Sequence, residues 1–64
     1  MRKYIVEVAY RSHSDPAFTR ADKVEVRAHT GALASLEAQA LVLAQLGPNA
    51  MALEGVRLVD FDPL

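Results

Sequence analysis

Cysteine and tryptophan are absent from this 64-residue chain, which holds three glycines, three prolines, two tyrosines and two phenylalanines. Without cysteine there are no disulfides, no thiolate nucleophile and no cysteine-based zinc site, which suits a reducing compartment. Gly31, Gly47 and Gly55 stand alone, so no glycine-rich phosphate loop can form. Charge of one sign is missing as well: seven Lys and Arg against eight Asp and Glu leave a net −1. That balance gives no general attraction to nucleic acid or to an anionic membrane surface. Long apolar runs are also lacking. The longest, Ala40 to Ala44, is far short of the roughly 18 residues a membrane span needs. Glu7 interrupts the N-terminal apolar stretch too early for a secretory leader. The expectation is one soluble, cytoplasmic domain over residues 1–64, without cofactor or metal. The preference for Ala and Arg fits a GC-rich bacterial or phage genome and carries no functional weight.

Just over half of the residues are apolar, which argues against disorder. "KYIVEVAYR" sets Tyr4, Val6, Val8 and Tyr10 on one face and Lys3, Glu7 and Arg11 on the other, the period of a strand. "KVEVRAH" alternates again over residues 23–29, and "VRLVDF" makes a short third strand. The polar stretch 12–22 reads as a loop, and "NAMALEG" as a single helical turn capped by Asn49. Between the second and third strands, "GALASLEAQALVLAQLG" reads as a helix, with Thr30 as N-cap and Gly47–Pro48 as the stop.

The order is strand, strand, helix, strand. This predicts a ββαβ α+β domain, with sheet order 2-1-3 and the helix across one face. The expected core is Tyr4, Val6, Val8, Tyr10, Val24 and Val26 from the sheet, with Leu33, Leu36, Ala40 and Leu43 from the helix.

The helix has no polar stripe, because Ser35, Glu37, Gln39 and Gln45 scatter around it. If the four helix residues expected in the core face the sheet, Ala34, Ala38, Leu41 and Gln45 form a second seam with helix–helix spacing, with Val42 beside it. On the third strand, Val56 and Leu58 alternate with Arg57, Val59 and Phe61, so one set is left on the open back of the sheet. Two surplus apolar surfaces on so small a chain point to a partner, most simply a second copy in a twofold dimer. The expected contacts are Ala34, Ala38, Leu41, Val42, Gln45, Val59, Phe61 and Phe18. For Phe18 the favoured reading is that it folds back to plug the end of the core, with a partner contact as the alternative.

Other chemistry is thin. His13, Ser14 and Asp15 are adjacent, which is the sequence of a turn rather than the geometry of a triad. His29, Asp60 and Asp62 are three potential metal ligands without a characteristic spacing. Arg11, Lys23, Arg27 and Arg57 could share the outer sheet face and meet nucleic acid, but Glu7 and Glu25 sit among them. The expected function is therefore a non-catalytic protein-interaction module, an adaptor, inhibitor or accessory factor acting as a homodimer. A nucleic-acid-binding dimer and a minimal enzyme using His13, His29 and the aspartates are the alternatives.

Overall fold

The computed structural model describes residues 1–62. The chain runs β1 (Arg2–Ser12), β2 (Asp15–Ala28), α1 (Gly31–Leu46), a 3-10 turn (Gly47–Asn49) and β3 (Ala50–Asp62). The sheet order is β2-β1-β3 with both pairings antiparallel. This is the expected ββαβ arrangement, with the most apolar strand in the centre and one helix on one face.

Two connections differ from the sequence expectation. Residues 12–22 are mostly strand: His13 and Ser14 make a tight turn, and β2 begins at Asp15. Tyr10 pairs with Arg20 and Ser12 with Asp15, so Pro16 to Thr19 bulge out opposite Arg11 alone. Polar residues there serve an exposed edge strand rather than a loop. "NAMALEG" is likewise extended, because Asn49 ends the 3-10 turn and β3 starts at Ala50. Asn49 ties the hairpin turn to the start of β3 at one end of the sheet. Its backbone carbonyl accepts from the His13 N–H at 2.8 Å and its side-chain oxygen from the Ser14 N–H at 3.0 Å.

β3 is the irregular strand. Its register against β1 slips three times, leaving Met51, Glu54 and Val59 without a direct partner. Each extra residue reverses the facing of the residues after it. Hence Leu53, Val56, Leu58 and Phe61 all lie opposite the helix-side residues Tyr10, Val8, Val6 and Tyr4. Strict alternation would have put Phe61 on the other face from Val56 and Leu58. Instead its ring stacks on Tyr4, with centroids 5.9 Å apart.

The core is Tyr4, Val6, Val8, Tyr10, Val26 and Ala28 of the sheet with Ala34, Ala38 and Val42 of α1. The expected helix stripe is therefore inverted: Leu33, Leu36, Ala40 and Leu43 are exposed. The physical reason lies in the sheet. Two tyrosines and a row of valines already fill its upper face, so the helix settles on its small residues. At its start Gly31 continues that line; a Cβ there would meet Leu58 and Tyr4 at 3.7 and 3.8 Å.

The helix begins where the Thr30 hydroxyl accepts from the Leu33 N–H at 3.2 Å, and stops at Gly47, whose φ of 55° suits glycine. Thr30→Ala removes the cap and is expected to cost about 1 kcal/mol, seen as a Tm lower by roughly 4–8 °C in a domain of this size.

At the hairpin end the Tyr10 hydroxyl donates to Asp22 at 2.8 Å. That bond, then burial and the carboxylate's charge, raise the phenol above its ordinary value of 10.0. A raised folded value means the native state holds its proton more tightly than the unfolded chain. The contribution is complete below pH 10 and lost as pH rises through the folded value. Chemical denaturation across that range should show wild type losing more stability than Tyr10→Phe.

Candidate interaction surface

The helix has two apolar sides. One is the buried line Ala34, Ala38 and Val42; at about 100° per residue Leu33, Leu36, Ala40 and Leu43 lie opposite it and point straight away from the sheet. Leu36 is 64 % exposed, Leu33 51 % and Leu43 40 %. Glu37 is the one charged residue among the sixteen of α1. A helix apolar on two opposite sides belongs inside a larger structure, and the sheet covers only one of them. The spacing 33, 36, 40, 43 alternates three and four, the repeat by which two helices interlock.

A second uncovered strip adjoins the helical layer. The helix buries Val26 and Ala28 of β2, whereas Val56, Leu58 and Phe61 of β3, on the same side of the sheet, each stay more than a third exposed. The outer helix face and the helix side of β3 therefore leave Leu33, Leu36, Leu43, Val56, Leu58 and Phe61 uncovered, more than singly scattered apolar residues.

The other side of the sheet is different in kind. Lys3, Ile5, Glu7, Ala9 and Arg11 of β1 face it, with Glu25 and Lys23 opposite Ile5 and Glu7 in β2 and Asp60 and Arg57 opposite the same two in β3. Arg57 reaches the Glu7 carboxylate at 3.2 Å, and Arg11 pairs with Glu54. Lys3, Ile5 and Asp60 of this side, with Phe61, line a shallow cleft of about 300 Å³. Mixed charges in cross-strand pairs are usual on a water-facing sheet.

The expected contact residues divide accordingly. Ala34, Ala38 and Val42 are 0, 0 and 1 % exposed and pack on the sheet of their own chain, so they are core and present no seam. Leu41 and Gln45 are exposed beside that line. Val59 is exposed at a strand irregularity, and Phe61 belongs to the helix-side strip. Phe18 is 65 % exposed in the β2 bulge and plugs nothing. The outer leucines were hidden at the level of sequence, because two apolar stripes compete for the core and the bulkier one is the natural choice. The run Gly31, Ala34, Ala38 was the available signal, since small residues in line mark close approach.

The basic residues form no track. Arg11 and Arg57 are engaged by Glu54 and Glu7, Lys23 stands directly opposite Glu7, and only Arg27 of the four lacks an acidic neighbour in register. His13 lies in the hairpin turn and His29 beyond the far end of β2, so the length of β1 separates them, about 30 Å at strand rise. They share no site. Among the described residues no cluster of His, Asp and Glu could hold a metal ion, and the side chain of Asp62 lies outside the described part. No helix there is long and apolar enough to cross a membrane.

No protein-family model matches the chain, and neither a curated protein nor a solved structure matches it.

Proposed function

We propose that this chain is a non-catalytic protein-interaction module that works as a homodimer, and that its docking surface is the helical side of the domain. The outward face of α1 carries the reading: three leucines and an alanine with a single charge nearby, where a monomer would place polar side chains. Its occupant is a second copy. A self-complementary helix seam serves both members of a twofold pair equally. A stable interface takes roughly 800 Å² from each partner, about a fifth of the chain's 4212 Å² surface, and Leu33, Leu36 and Leu43, each two-fifths or more exposed, would form its apolar centre.

The sheet edges offer less. β2 lines its edge with Arg20, Asp22, Lys23, Glu25 and Arg27 and carries Pro16, while β3 is broken by its three irregularities. Both are devices that discourage strand-to-strand pairing.

The test is the native mass, by light scattering on a sizing column over a wide range of concentrations. A mass twice the chain's 7.0 kDa is expected. A folded monomer at every concentration overturns the reading.

A further inference from the structure

We propose that the two copies dock with their α1 helices antiparallel, the twofold axis passing between Leu36 and Ala40; this rests on the homodimer reading above. The outer seam reads Leu33, Leu36, Ala40, Leu43, with gaps of three, four and three, so it is unchanged when reversed. Antiparallel pairing sets Leu33 against the partner's Leu43, and Leu36 against the partner's Ala40. Each leucine in the middle then fills the space left by an alanine, twice by symmetry. Parallel pairing instead stacks Leu36 on itself and Ala40 on itself, a crowded layer beside an empty one, and native packing density leaves little room for either.

Charge is the opposing effect, and it is smaller. In the antiparallel pair the two Glu37 carboxylates flank the same side of the axis. Solvated like charges on helix surfaces repel only weakly, whereas an unfilled gap in an apolar seam loses the contacts of every atom that lines it. Packing decides. The resulting particle has four layers, sheet, helix, helix, sheet, with both charged sheet faces outward.

Because the chain has no cysteine, single thiols can report the arrangement. Leu36→Cys and Ala40→Cys are each oxidised mildly alone and as an equimolar mixture, with the non-covalent mass of every sample measured beforehand. Antiparallel docking brings residue 36 within disulfide reach of the partner's residue 40. Two copies of residue 36 are offset about 6 Å along the axis besides their separation across the seam, past the roughly 7 Å limit. The mixture should therefore cross-link on the order of tenfold faster than either variant alone, with 36–40 as the linked peptide. Self-linking of each variant alone, in a particle of dimer mass, overturns the antiparallel arrangement and leaves the dimer standing. Dimer mass without cross-linking in any sample overturns this seam as the interface. Monomer mass throughout overturns the homodimer reading beneath it.

Discussion

Leu36→Glu is expected to give a folded monomer. The side chain is 64 % exposed and lies outside the core cluster, so far-ultraviolet circular dichroism should be unchanged. Its effect falls on association. Burying a leucine contributes about 2 kcal/mol, and a twofold interface contains the residue twice. Losing about 4 kcal/mol weakens the dimer roughly a thousandfold, before the cost of bringing two carboxylates into an apolar seam. At micromolar concentrations light scattering should read the mass of one chain. Dimer mass with the variant would mean that the copies meet elsewhere.

Ala38→Leu is expected to do the reverse and attack the fold. Ala38 is fully buried against the sheet, in the same cluster as Val6 and Val8. Extra carbons have no space there, so either the helix lifts or side chains leave their rotamers. Overpacking of this kind costs about 1–3 kcal/mol, and in so short a domain each kcal/mol lowers the Tm by roughly 4–8 °C. Thermal unfolding should show a fall of about 4–24 °C. If Ala38 instead lay in an intermolecular seam, its enlargement would change the concentration dependence of the mass and leave the dilute chain's stability intact. The pair of variants separates the two sides of one helix.

The strands and their order were legible in the sequence because a single face of β1 is buried, and a period of two then has one interpretation. The cap at Thr30 and the stop at Gly47 were legible because each rests on local backbone chemistry. The choice of helix face was not. Both stripes of α1 are apolar, and bulk suggests leucine inside and alanine out. The sheet reverses that preference, since Tyr4, Tyr10 and the valines between them occupy the volume that leucines would need. The slips in β3 were equally hidden. Met51, Glu54 and Val59 carry no mark of a bulge, yet the slip at Val59 turns Phe61 toward Tyr4 and removes the surplus apolar patch expected on the back of the sheet. What survives of the candidate site is the inference from a missing polar face, moved to the opposite side of the same helix.

In the proposed dimer Leu33, Leu36, Ala40 and Leu43 meet their counterparts in a second copy. Isotope-filtered NMR on an equimolar mixture of labelled and unlabelled chains reads those contacts alone, because only contacts between copies give signals. Cross-peaks linking the Leu36 methyls to the Ala40 methyl of the other copy, and Leu33 to Leu43, are the predicted result. Intermolecular contacts arising only from Phe18, Ile5 or the strand edges would contradict it.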